Sequence, residues 1–194
     1  MDGVNWYSDY SDVKAAVELA APTVAVKLTA GKVRLSWKAV QGAEQYDIYR
    51  STDGKNYTRY TTTAKTNYTN SKVAQGKTYY YKVKAVCHVG EALCKGASSK
   101  VKKVYVLRAP SVTAVKKSGS IVLNWKAVKN ADKYWVYRST DGEHFTYYRK
   151  VNGTTCTDSK VKRGVKYSYK VKSALSVNGA NWSSRNSDTV SKLR

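Results

Sequence analysis

From residue 33 the chain reads Val33-Arg34-Leu35-Ser36-Trp37, apolar and polar by turns, which sets Val33, Leu35 and Trp37 on one face of a strand. Tyr46-Asp47-Ile48 alternates in the same way, and Ser51-Thr52-Asp53-Gly54 follows as a tight turn with glycine free to take positive φ. Strands are predicted through Asn56–Thr61 and Asn67–Thr69. Tyr79, Tyr81, Val83 and Ala85 then form a buried row while Tyr80, Lys82 and Lys84 face outward, and a last strand is predicted near Ser98–Tyr105. A helical period shows only weakly, over Val13–Ala20, so alternating strand–helix architecture is not expected.

The pattern occurs twice. Pro22 recurs at Pro110, Trp37 at Trp125, Tyr49 at Tyr137 and Ser51–Gly54 at Ser139–Gly142, always 88 residues on. Between Pro22 and Cys87 no insertion or deletion separates the copies, and 29 of the 66 paired positions are identical. A period of 88 is too long for one solenoid unit, so each copy is a whole domain. The predicted fold class is all-β: two tandem seven-stranded antiparallel β-sandwiches. The expected divisions are residues 1–19, a remnant last strand; 20–107, the first module; and 108–194, the second.

The residues that define each copy are specific. Val33-x-Leu35-x-Trp37 leads to Ala43-x-x-Tyr46-x-Ile48-Tyr49-Arg50 and then to Val73-x-x-Gly76-x-x-Tyr79-x-Tyr81-x-Val83. The second copy matches at Ile121, Leu123, Trp125, Tyr134, Val136, Val161, Gly164, Tyr167, Tyr169 and Val171. Over residues 20–194 this resembles the fibronectin type III domain, in the lysine- and tyrosine-rich form found in secreted or surface proteins of Gram-positive bacteria. The resemblance implies an immunoglobulin-like sandwich, a tyrosine corner at Tyr79 and at Tyr167, and an extracellular or cell-surface location. No Arg-Gly-Asp triplet occurs, so integrin recognition is not implied.

Composition supports strands: 17 Tyr and 5 Trp stand against one Phe and one Met. No apolar run approaches the ~20 residues of a membrane-spanning helix. The acidic, polar N-terminus does not read as a signal peptide. Thirty-five Lys and Arg against 13 Asp and Glu give a net charge of +22, a field that draws any polyanion. Nucleic acid, wall polymers, acidic glycans and anionic membranes all fit that field, but no groove-reading helix or RNA-binding motif singles out nucleic acid. Lysine on the outer faces also solvates a β protein and guards its edges.

Catalytic chemistry is missing. The carboxylates form no pair in a spacing shared by both copies, and Asp53 and Asp141 belong to turns. His88 and His144 stand at non-equivalent places and read as solvated loop residues. Phosphate loop, Cys-x-x-Cys and Gly-x-Ser-x-Gly are all absent from the sequence, so neither an enzyme nor a cofactor or metal site is expected. Four triplets, at Asn56, Asn67, Asn152 and Asn181, match the N-glycosylation pattern at a frequency that chance provides.

Two functions remain. In the first, the modules are non-catalytic spacers of a larger surface protein. In the second, the outer face of the strands that the family letters C, F and G binds an anionic or carbohydrate polymer such as a cell-wall or acidic glycan chain. That face is predicted to carry Asp47, Tyr49, Tyr80, Lys82 and Lys84 in the first module, and Trp135, Tyr137, Lys170 and Lys172 in the second. Rings interleaved with lysine can stack on sugars while ammonium groups meet anions, and they also simply pack across strands. The junction Val104–Pro110 lacks Gly and Ser and is predicted to run extended between end-to-end modules. Cys87 and Cys94 flank a hairpin at Gly90-Glu91 where the second copy has Leu175 and Trp182, so they are predicted to face each other within disulfide distance. Cys156 takes the place of Tyr68 and is predicted to be a lone buried thiol. Trp6 lies two periods before Trp182, so residues 3–13 read as the final strand of a preceding module, able to self-associate by adding to a sheet edge.

Overall fold

The computed structural model describes residues 18–194; the expectation for residues 3–13 lies outside them. In the first half the strands are β1 (Ala25–Thr29), β2 (Lys32–Ser36), β3 (Gln45–Ser51), β4 (Thr58–Thr63), β5 (Asn67–Asn70), β6 (Lys77–Val89), β7 (Ala92–Ser98) and β8 (Lys102–Val106). The second half repeats them as β9 (Val112–Lys117), β10 (Ser120–Trp125), β11 (Lys133–Ser139), β12 (Thr146–Val151), β13 (Thr155–Asp158), β14 (Lys166–Val177), β15 (Ala180–Ser183) and β16 (Val190–Leu193). Each half is a sandwich of two antiparallel sheets. In the first, β1-β2-β5 faces β4-β3-β6-β7, and β8 also pairs with β6. No helix occurs among the described residues.

The alternation seen in sequence builds the core. Val33, Leu35, Trp37, Tyr46, Ile48, Tyr79, Tyr81, Val83 and Ala85 are all buried, as are Ile121, Leu123, Trp125, Tyr134, Val136, Tyr167, Tyr169 and Val171. Trp37 meets Tyr46 edge to face at 5.2 Å, and Trp125 meets Tyr134 at 5.3 Å. The tyrosine corners form: Tyr79 Oη accepts from Ala74 N at 2.9 Å and Tyr167 Oη from Lys162 N at 3.0 Å.

Three features depart from the sequence reading. Each half has eight strand segments rather than seven, because the last strand is broken. At the break Ser99 Oγ accepts from Val83 N while Ser99 N donates to Val83 O, and Ser187 does the same with Val171. A side chain has replaced one rung of the ladder. Strand β4 starts at Thr58, two residues later than Asn56, because Asp53 Oδ1 accepts from Lys55 N and Asn56 N and holds them in the turn. His88 lies in β6 instead of a loop, and its ring nitrogen meets Glu44 Oε2 at 2.7 Å.

Strands β3 and β4 carry a bulge: Ile48 opposes Thr61 and Tyr49 opposes Arg59, leaving Tyr60 as the extra residue. Tyr60 Oη donates to Asn70 Oδ1 at 3.2 Å, and Asn70 Nδ2 donates to the buried Tyr81 Oη at 3.0 Å. Asn70 belongs to one sheet and Tyr60 and Tyr81 to the other, so the knot ties the sandwich across its core. In the second half Tyr148 is the bulged residue and Asp158 stands where Asn70 did. Asp158 is fully buried and accepts from Tyr169 Oη at 2.8 Å, Tyr148 Oη at 2.9 Å, Lys160 N at 2.9 Å and Arg138 Nη1 at 3.0 Å.

The two halves meet at a packed joint. Trp182 of β15 is buried with the first module's core and lies edge-on to Tyr105 at 6.4 Å. Ser173 Oγ donates to the linker carbonyl of Arg108 at 2.7 Å, and Arg185 Nη2 donates to Ala30 O at 3.1 Å. Only residues 107–111 separate β8 from β9. Leu19, at the edge of the expected first boundary, is buried against Gly96, where an added Cβ would lie 2.5 Å from its carbonyl oxygen.

Burial alone would raise the Asp158 carboxyl, but the donors Tyr169, Arg138, Tyr148 and Lys160 N hold it below its usual value of 3.8. A depressed carboxylate contributes stability that is present above its unfolded value and lost as pH falls through the folded one. Asp158→Asn keeps an acceptor for Tyr148 and a donor for Tyr169, as Asn70 has for Tyr60 and Tyr81, and is expected to cost about 1–2 kcal/mol. Asp158→Ala orphans Arg138 and two hydroxyls and is expected to cost about 3–5 kcal/mol. Denaturant melts at stepped pH check both: below pH 3.8 the parent's stability should fall more steeply than that of Asp158→Asn.

Candidate functional site

The eight residues predicted for a polymer-binding face stand on the outer faces of the larger sheets, four in each module, and all are half-buried. Pairing of β3 with β6 sets Tyr49 opposite Lys82, Asp47 opposite Lys84 and Ser51 opposite Tyr80. Pairing of β11 with β14 sets Trp135 opposite Lys172 and Tyr137 opposite Lys170. Register thus interleaves ring and ammonium, as alternation on one face requires.

The lysines rest on rings. Lys82 Nζ lies 4.2 Å from the Tyr57 ring centre, Lys170 Nζ 4.0 Å from that of Phe145, Lys172 Nζ 5.5 Å from that of Tyr137 and Lys84 Nζ 6.0 Å from that of Tyr49. Lys103 covers Tyr80 at 5.5 Å and Tyr105 at 4.8 Å. Tyr137 stands edge-on to Tyr147 at 6.1 Å. Trp135, opposite Lys172 and Lys150, makes no ring pair or cation–π contact among the described residues. One predicted position differs from expectation, and one place on the face is not equivalent between the copies. Asp47 is on this face but buried, since Lys95 Nζ at 2.8 Å, Thr62 Oγ1 at 2.6 Å and Arg59 at 3.8 Å close over it. Ser168, which replaces Tyr80 in the second copy, is buried and bonded to Ser191 Oγ at 2.8 Å.

The seats Tyr57 and Phe145 escaped the sequence reading, although an aromatic at both copies of one position and lysine at both copies of its partner was the visible signal. The Ser-Thr-Asp-Gly turn places them. Ser51 Oγ donates to Asp53 Oδ1 at 2.6 Å and accepts from Gly54 N at 2.9 Å, and Asn56 Nδ2 donates to Asp53 Oδ2 at 2.8 Å. Asp141 repeats the turn, with the His144 ring nitrogen 2.8 Å from its Oδ2. Hydrogen bonds from Ser51, the Lys55 and Asn56 backbone and the Asn56 side chain hold the Asp53 carboxyl well below the usual range; Ser139, the Glu143 and His144 backbone and His144 do so for Asp141. Both carboxylates are spent on the chain itself. No group of His, Cys, Asp or Glu able to hold a metal exists among the described residues.

Residues 28–92 match a family model described as a PBP1-like, fibronectin3-like domain, and residues 109–191 match one described as the fibronectin type III domain SaeA third domain. The chain is a tandem of fibronectin type III domains. A search of curated proteins returned no match. Among solved structures, the FN1–FN3 domains of chicken CNTN1 are similar at 18% identity and a TM-score of 0.41, over 90% of this chain and 66% of that one. Fibronectin type III families are generally non-catalytic modules, structural or binding, and are common in extracellular proteins. No helix here is long and apolar enough to cross a membrane among the described residues.

In the first fibronectin type III domain Cys87 and Cys94 are direct cross-strand partners of β6 and β7, and no disulfide joins them in the structure. Burial, and then the hydrogen bond and charge of Cys94, push the Cys87 thiol above its usual range. Cys156 of β13 is buried, as expected. A directly opposed antiparallel pair has Cα atoms about 4.5–5.5 Å apart, within reach of a disulfide. Mild oxidation is therefore expected to close Cys87–Cys94 with loss of two hydrogens by mass and to add about 2 kcal/mol, read as a shift in the denaturant midpoint that Cys94→Ser lacks. Oxidation that left the mass unchanged would rule the bridge out.

Proposed function

We propose that the tandem is a rigid spacer within a larger extracellular or cell-surface protein, holding its neighbours at a fixed distance and angle. The observation that carries this reading is Trp182, a residue of the second module buried in the core of the first. The Ser173–Arg108 and Arg185–Ala30 hydrogen bonds and the five-residue connection support it, because together they oppose hinge motion. The outer faces point the same way: most of their rings already carry a lysine of the same chain, so a ligand would first have to displace it.

A second reading, a polymer-binding face, is favoured by one residue. Trp135 is half-buried, carries no lysine and stands between Lys150 and Lys172 on neighbouring strands, an arrangement suited to stacking on a sugar ring beside an anion.

Two measurements separate these readings. Small-angle scattering of the parent is expected to give one narrow distribution of intermodule distances. Trp182→Ala is expected to broaden it and to destabilise the first module by about 3–5 kcal/mol; an equally broad parent distribution would defeat the spacer. Pull-down on peptidoglycan and on a sulfated glycan at low salt and at 150 mM is expected to lose binding at the higher salt, as diffuse charge attraction does. Affinity retained at 150 mM and lost in Trp135→Ala would establish the second reading.

A further inference from the structure

The joint between the modules encloses a cleft of about 940 Å³. Its walls are the β1–β2 turn of the first module, the linker, and the start of the break after β15 in the second. Four cations line it, Lys27, Arg108, Lys172 and Arg185, with no carboxylate and no aromatic ring. None of the four is in an ion pair among the described residues, although the chain's buried carboxylates Asp47 and Asp158 each are. Four like charges gathered around one concavity repel one another, and an anion entering it relieves that repulsion.

Arg185 is held in place rather than loose. Its Nη2 donates to Ala30 O, and the Nε/Nη2 edge of its guanidinium abuts Gly31, where an added Cβ would fall 2.6 Å from both Nε and Nη2. Ala30 and Gly31 both take positive φ, at 49° and 72°, which turns the Ala30 carbonyl toward the arginine. Arg108 is fixed through its own backbone, whose carbonyl accepts from Ser173 Oγ. Both guanidinium groups keep further N–H donors for a bidentate oxyanion.

The duplication supplies an internal control. At the positions equivalent to Lys27, Arg108 and Arg185 the other copy has Val115, Ala20 and Ala97. Only Lys172 has a basic counterpart, Lys84. Three of the four charges therefore do not come from the general lysine coating shared by both copies; they stand where the sequence meets this cleft.

We infer that the cleft is a binding site for a chain of linked phosphate groups without aromatic parts, either a phosphodiester polymer of a small polyol or a polyphosphate. Guanidinium groups match phosphate oxygens. The volume is that of an organic-ligand cleft, with room for several linked phosphates. The absence of any ring from the walls removes the stacking platform on which single-stranded nucleic acids and pyranose sugars rest. The site lies at the joint, shares only Lys172 with the lysine–aromatic faces, and does not depend on the spacer reading. A ligand there touches both modules at once.

The test is calorimetric titration of the full chain at 150 mM NaCl with tripolyphosphate, with poly(glycerol phosphate) and with a single-stranded DNA oligonucleotide of equal charge. Binding of at least one phosphate chain is expected, tighter than that of DNA, and the stronger of the two identifies the source. The double variant Arg108→Gln/Arg185→Gln should weaken it at least tenfold. The double variant Lys65→Gln/Lys117→Gln removes the same charge from exposed positions outside the cleft and the outer faces and should change it less than twofold. If loss of the Arg185–Ala30 hydrogen bond lowers the melting temperature of the first pair, Lys27→Gln/Lys172→Gln replaces it, with a threefold or greater weakening expected. No binding at this salt, equal weakening by the control pair, or DNA binding as tightly as the phosphate chains would each overturn the assignment.

Discussion

A phenolic hydroxyl with no access to water needs a partner, and in each sandwich that need fastens one sheet to the other. Tyr81 and Tyr169 sit at the centre of β6 and β14 with no exposed surface, and their hydroxyls reach across the core to Asn70 and Asp158. The bulge that turns Tyr60 or Tyr148 inward completes the knot. A slip of one residue in any of the strands involved would carry these side chains to the wrong face and strand several polar groups in an apolar core. Hydrophobic alternation alone tolerates many cores; this knot admits one register. The long β6 and β14, and everything hung on their outer sides, inherit their positions from it.

The two copies solve the same problem with different charge. Asn70 meets its partners as a neutral amide, with the Arg50 guanidinium lying 4.0 Å over the Tyr60 ring. Asp158 is an anion and draws Arg138 into direct contact at 3.0 Å. Burial pushes the Tyr81 hydroxyl up to about 12, and burial followed by the bond to Asp158 raises Tyr169 as well. The change from amide to carboxylate leaves the surrounding frame unaltered.

Much of this was legible in the sequence. Alternation at Val33–Trp37 and Tyr79–Ala85 marked the core residues, the period of 88 marked the modules, and the offset of Cys87 and Cys94 from a two-residue turn marked a cross-strand pair. What escaped was set by side chains acting on backbone at a distance. Ser99 and Ser187 look like ordinary strand residues until their hydroxyls break the last strand. Asp47 sits at an outward position in the alternation, yet Lys95, forty-eight residues on, buries it. Alternation placed the candidate residues together on one outward face, but the seats Tyr57 and Phe145 escaped, because loop aromatics declare a role only once the turn aims them. The charge of the joint was hidden for the same reason: Lys27, Arg108 and Arg185 are far apart along the chain and meet only across two modules.

Trp182 has a consequence for the order in which the protein is made. It closes the core of a module that otherwise ends near Leu107, and 75 residues of chain separate the two. At synthesis rates of about 5–20 residues per second, that stretch takes about 4–15 s to emerge. Through that interval the first module has all its own strands but a bare pole, with Tyr105 and Leu107 lacking the indole that later covers them. The chain thus passes through a stage in which its first module is folded and sticky at one end, until Trp182 emerges and seals it.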